Sequence, residues 1–214
     1  MNVSRPYSAV APTVEGDVLV ALAGSESAMS GRQVARLVRR GSQPAVNAAL
    51  ERLTAQGVVL REEAPPAYLY ELNRAHVGAP AVLALADMRS EFLRRLRFLF
   101  AHWPVPTVHA SMFGSAARGD GDSESDIDLF IVRPRGVPDD DERWTKQLSE
   151  LSEAVRLWTG NKASIVEFPQ ERLAVLREES PLALSGLRAD AVPLAGPPFH
   201  EFLGGRGGGR RAAR

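Results

Sequence analysis

Two aspartates open an otherwise apolar run, Asp126-Ile-Asp-Leu-Phe-Ile-Val132. The run predicts a strand. Residues two apart in a strand share a face, so both carboxylates project the same way. Carboxylates that close repel unless a cation neutralises them, and hard oxygen ligands favour Mg²⁺ or Mn²⁺. Upstream, Thr-Val-His-Ala-Ser-Met-Phe over 107–113 predicts a second strand, followed at once by Gly114-Ser115 and a short helical stretch. At such a turn, backbone N–H groups and a hydroxyl can approach a phosphate closely. Arg118, one turn further on, can neutralise more phosphate oxygens. The segment therefore predicts a metal site beside a triphosphate cradle.

Composition narrows the alternatives. The 214 residues are 44% hydrophobic and 24% charged, a globular balance that rules out wholesale disorder. That length fits one large domain or two small ones. There is no cysteine, which excludes disulfides, Cys-ligated zinc and a thiol nucleophile. His76, His102, His109 and His200 have no metal-binding spacing, and His109 reads as a core histidine. The first residues have neither the basic nor the apolar region of a signal peptide. The longest apolar-looking stretch, 79–103, is interrupted by Asp87, Arg89, Glu91, Arg94, Arg95 and Arg97 and cannot span a membrane. A cytoplasmic protein without membrane association is expected.

Charge is unevenly distributed. Residues 30–61 carry six arginines against Glu51, a net of +5, while residues 105–190 carry ten basic against sixteen acidic residues, a net of −6. Two modules with different partners are expected. After a flexible leader over 1–12, residues 15–23 predict a helix. Ser30 and Gln33 have the spacing of a capping box and start a second helix, ended by Gly41. Ser42 starts a third, with Pro44 in its first turn and Val46, Ala49, Leu50 and Leu53 on its buried face. Residues from Val58 to Asn73 predict a hairpin. Helices followed by a hairpin resemble the winged helix-turn-helix of bacterial regulators, over about 13–75. The resemblance implies that the Ser42 helix reads DNA and that residues 61–67 form the wing. Arg39 and Arg40, with Arg36, would meet phosphates, and Ser42, Gln43 and Asn47 would face the bases.

A long helix is predicted over 79–101, linking the modules within a segment 79–103. The second module, 105–198, then has strands at 107–113, 126–132 and 163–168. A helix is expected over about 142–158, with Trp144 and Trp158 packed on its inner side. Others are expected from Gln170 and over about 181–188. An edge strand at 191–196 carries Pro193, tolerable only at an edge. Asp120, Asp122 and Glu124 read as solvated loop acids. The Gly/Arg tail, 204–214, is expected to be disordered.

The pattern Gly-Ser-x-x-Arg-Gly, five residues, then Ser-Asp-x-Asp resembles the signature of polymerase-beta-like nucleotidyltransferases, particularly their minimal bacterial and archaeal forms. It is carried here by Gly114, Ser115, Arg118, Gly119, Ser125, Asp126 and Asp128. The resemblance covers about 105–196. It implies an α+β or α/β fold with a mixed sheet and a nucleoside triphosphate gripped by Gly114, Ser115, Arg118 and Ser125. Asp126 and Asp128 would hold Mg²⁺ or Mn²⁺. A third carboxylate is usual on a neighbouring strand, and Glu167, the only acid in Ala-Ser-Ile-Val-Glu-Phe, stands for it. The implied activity is transfer of a nucleoside monophosphate to an unknown acceptor hydroxyl. That acceptor is open among a small molecule such as an aminoglycoside, a protein and a tRNA. The alternative is a DNA-binding regulator or toxin–antitoxin component whose nucleotidyltransferase domain senses nucleotide or is inactive. A toxin or antitoxin partner and a homodimer belong to the same expectation.

Overall fold

The structure is a computed structural model and describes residues 1–38, 40–173, 175, 190–198 and 201. Arg39, His200, the helix expected over about 181–188 and the tail at 204–214 lie outside the described residues. The chain divides into two compact units, one of Arg5–Glu91 and one of Met1–Ser4 with Phe92 onward. Among the described residues no helix is long and apolar enough to cross a membrane.

In the first unit, α1 (Val14–Ala23), β1 (Met29–Ser30), α2 (Gly31–Leu37) and α3 (Gln43–Ala55) precede a hairpin of β2 (Val59–Ala64) and β3 (Ala67–Leu72). The three strands form an antiparallel sheet ordered β1-β3-β2. Helix α2 begins with both halves of the capping box, Ser30 accepting from the Gln33 amide and Gln33 reaching back to Ser30. Ser30→Ala is expected to cost about 1 kcal/mol. Urea unfolding would measure it, and an unchanged midpoint would mean that the box contributes nothing. Helix α2 does not run on to Gly41. It stops at Leu37, because Val38 turns extended and is buried in the core. Gly41 instead makes the left-handed turn into α3. The α3 face of Val46, Ala49, Leu50 and Leu53 is buried as its period predicts and packs with Val18, Leu22, Val34 and Tyr70.

Residues 1–12 are not a loose leader. Val3 is buried in the core of the second unit, and Pro6–Ala9 forms a 3₁₀ turn in the first. A Pro-containing segment reads as irregular from its sequence, but its apolar residues give it a place to pack.

Helix α4 (Ala79–Ala101) carries the division between units, at Glu91/Phe92. Then follow β4 (His109–Phe113), α5 (Gly114–Arg118), β5 (Ile127–Arg133), α6 (Glu142–Thr159), β6 (Ala163–Pro169) and β7 (Val192–Ala195). The helix expected from Gln170 opens with a 3₁₀ turn over Gln170–Arg172, and Leu173 and Val175 are helical; its further course lies outside the described residues. The sheet order is β6-β5-β4-β7, parallel between β5 and β6 and antiparallel elsewhere. β7, with Pro193, is an edge strand. One sheet face, with Ala110, Met112, Ile127, Leu129 and Ile131, packs against Phe92, Leu96 and Phe100 of α4 and Trp144, Leu151 and Val155 of α6. Among the described residues the other face carries a small apolar group around Phe130 and Val132. The strand end carrying Asp128 lies on this second face.

Candidate nucleotide and metal site

The β4–α5 corner is built around a close approach. Pairing sets Phe113 opposite Asp128, so the chain leaving β4 passes directly beneath that carboxylate. Gly114 has φ +69°, and a Cβ there would lie 2.3 Å from Asp128 Oδ2. Only glycine supplies both the conformation and the space. The Ser115 carbonyl then gathers the amides of Gly119, Asp120 and Gly121 at 3.0, 3.2 and 3.3 Å, closing α5 through the left-handed Gly119.

The loop to β5 has its own nucleus. One carboxylate oxygen of Asp122 accepts from the Glu124 amide, the Ser125 amide and the Ser125 hydroxyl, at 2.9, 2.8 and 2.8 Å. These donors, led by the Ser125 hydroxyl, hold the Asp122 carboxyl below its ordinary range. Asp122 is therefore the organiser of the turn rather than merely a solvated loop acid. Buried Asn161, just beyond α6, ties the loop down by donating to the carbonyls of Ser123 and Ser125 at 3.2 and 2.8 Å. The Asp-Ser-Glu-Ser run has the residue types of an Asx turn, a usable sequence signal for Asp122. Nothing local signals Asn161, whose partners lie 36 and 38 residues away.

Asp126 is exposed immediately before β5, and Asp128 is half-buried within it. Burial pushes the Asp128 carboxyl up and Asp126 adds to the effect, while a hydrogen bond from the Ser164 hydroxyl and the charge of Arg118 oppose it. Arg118 is exposed. Its Nε donates to Asp120 at 3.1 Å, and it lies 3.9 Å from Asp190. The structure thus brings Gly114, Ser115, Arg118, Asp126 and Asp128 to one corner. Ser125 is beside them, with its hydroxyl engaged by Asp122.

Glu167 does not join this corner. Parallel pairing sets Glu167 opposite Ile131 and Ser164 opposite Asp128. Neighbours across a sheet share a face and successive residues alternate, so Glu167 projects from the face opposite Asp128. There it lies 3.2 Å from Arg133 Nε, with both side chains largely buried. Among the described residues no three His, Asp or Glu side chains cluster to hold a metal.

The residues that remain suit one divalent cation: two carboxylates close enough to act on one another, one of them packed against a glycine. Residues 89–182 match the family model of the nucleotidyltransferase domain. The mixed four-stranded sheet is consistent with that domain's fold. Comparison with curated proteins finds no match. Among solved structures, the chain is similar to one described as the crystal structure of the toxin-antitoxin with AMP-PNP. The identity is 19%, the match covers 52% of this chain and 78% of that one, and the TM-score is 0.36.

In the first unit, α3 and the hairpin border a groove of about 660 Å³ whose lining includes Gln43, Asn47, Glu51, Tyr68 and Tyr70. Gln43 donates to Asn47 Oδ1 at 2.9 Å and to the Gly31 carbonyl at 3.2 Å. Ser42 is the N-cap of α3, accepting from the Ala45 amide. Its oxygen is thus engaged by its own helix. The Arg40 guanidinium donates to the Pro12 carbonyl.

Proposed function

We propose that the nucleotidyltransferase domain binds a nucleoside triphosphate with Mg²⁺ or Mn²⁺ and transfers its nucleoside monophosphate to an acceptor hydroxyl. The observation that carries this reading is the Asp128 carboxylate seated on Gly114, with Asp126 close enough to act on it. Asp126 and Asp128 would hold the ion, which supplies charge neutralisation to the triphosphate. Gly114 lets the phosphates approach the backbone, Ser115 adds a hydroxyl, and Arg118 faces the remaining phosphate charge. Transfer forms the bond from acceptor oxygen to α-phosphorus, breaks the α–β bridge to release pyrophosphate, and gives up the acceptor's hydroxyl proton to water. Positioning and charge neutralisation are what the protein supplies to such a step.

Incubation with Mg²⁺, each α-labelled nucleoside triphosphate in turn and a cell lysate tests this. Label passed to one acceptor, and absent with the Asp126→Ala/Asp128→Ala double variant, supports transfer. Nucleotide binding without transfer favours the regulator reading, in which the domain senses nucleotide. Glu167→Gln is expected to leave transfer within about twofold, since the ion pair with Arg133 lies on the opposite sheet face.

The groove beside α3 favours a second, compatible role. The first unit is proposed as a winged helix whose Gln43 and Asn47 face DNA, with Arg40 beside phosphates. Gln43→Ala with Asn47→Ala is expected to weaken specific DNA binding by roughly tenfold at fixed salt. Fluorescence anisotropy on a selected duplex would measure this, and unchanged affinity would remove these two residues from the interface.

A further inference from the structure

Strand β6 meets the carboxylate pair through one residue. Across from Asp128, on the same face, stands Ser164. The next β6 residue on the same face is Val166, exposed and apolar, and after it comes Phe168, packed with Phe130 and Val132. Beside the pair on β4 are Phe113 and Ser111. Every described residue flanking the pair on this face of β4 and β6 is therefore neutral, and the one acid of β6 is turned away against Arg133.

Mg²⁺ beside a nucleotide is typically held by one or two carboxylates together with the phosphates. Two carboxylates satisfy that requirement once. A second divalent ion about 3.5–4 Å from the first would have to share the same two carboxylates, since β4 and β6 carry no further acid on this face. The guanidinium of Arg118 already stands close enough to act on Asp128.

We propose that this site takes a single divalent ion with its nucleotide, and that Ser164 occupies the position from which an acid would hold a second. The inference rests on the nucleotide-binding reading above.

The test counts ions. Full-length protein is titrated with Mn²⁺ in the presence of α,β-methylene analogues of the nucleoside triphosphates, which cannot be cleaved at the α–β bridge. Free Mn²⁺ is read by electron paramagnetic resonance. One nucleotide-dependent Mn²⁺ per chain is expected for the wild type and for Glu167→Gln, and two for Ser164→Asp. Two ions on the wild type, or loss of an ion with Glu167→Gln, would overturn the proposal while leaving nucleotide binding intact. No nucleotide-dependent ion on the wild type would overturn the functional reading and this inference with it. If Ser164→Asp does not fold, the wild-type count decides alone. If it folds and still binds one ion, Ser164 does not mark the second position.

Discussion

Gly114→Ala is expected to destabilise the second unit by on the order of 3 kcal/mol and to abolish nucleotide-dependent ion binding. Two faults add. A left-handed backbone costs an L-residue about 1–2 kcal/mol, and forcing a methyl into filled space costs about 1–3 kcal/mol. The space in question is already held by Asp128 Oδ2, 2.3 Å from where the Cβ would stand. Relief requires the carboxylate to swing away, so the strain is transferred to the group that would hold the ion. Chemical unfolding and Mn²⁺ titration read the two effects separately. A variant with wild-type stability would show that the corner relaxes without involving Asp128.

Asp128→Asn is expected to behave in the opposite way for stability. Affinity for metal–nucleotide should fall at least ~100-fold, because a formal charge on the ion's ligand is lost. Folding stability should hold or rise. The Asp128 carboxyl is pushed up by burial and by Asp126, so its charged form is disfavoured in the folded state relative to the unfolded one at neutral pH. An uncharged amide of the same shape removes that penalty, a familiar trade between stability and function. Thermal unfolding beside titration calorimetry checks both signs. A clear drop in midpoint would mean that the charge contributes to the fold, and retained affinity would mean that Asp128 is not the ligand.

What could be read from the sequence followed from periodicity and local chemistry. The buried face of α3 needed only the spacing of Val46, Ala49, Leu50 and Leu53. The Ser30 box needed only a serine and a glutamine three apart. The Pro193 strand lies at an edge because proline cannot donate to a ladder. The short-range part of the site was equally accessible, since Gly114 to Arg118 are adjacent along the chain and Asp126 lies only two residues before Asp128.

Glu167 was misplaced for a reason of the same kind. Alternation within β6 tells which of its residues share a face, but the register against β5 decides which face that is. A shift of one residue would exchange Ser164 and Val166 for Ile165 and Glu167 beside Asp128. Tertiary placement also decided the end of α2. Val38 leaves the helix to fill the core, a choice that its helix propensity and the distance to Gly41 do not reveal. The pairing of β1 with β3 joins Met29 to Tyr70, and two residues of strand carry no periodic signal of their own.

Arg118 has a consequence for ligand choice. Without a ligand, its guanidinium is already engaged by Asp120 and lies within 3.9 Å of Asp190. An incoming anion has to displace carboxylates from it rather than settle on a bare cation. A sulfate or a single phosphate competes with them on nearly equal terms. A triphosphate arriving with its metal brings several oxygens at once and anchors at the aspartate pair as well. Under the proposed function, this pairing is a weak, solvent-screened competitor that a chelated polyphosphate would displace more readily than a lone phosphate.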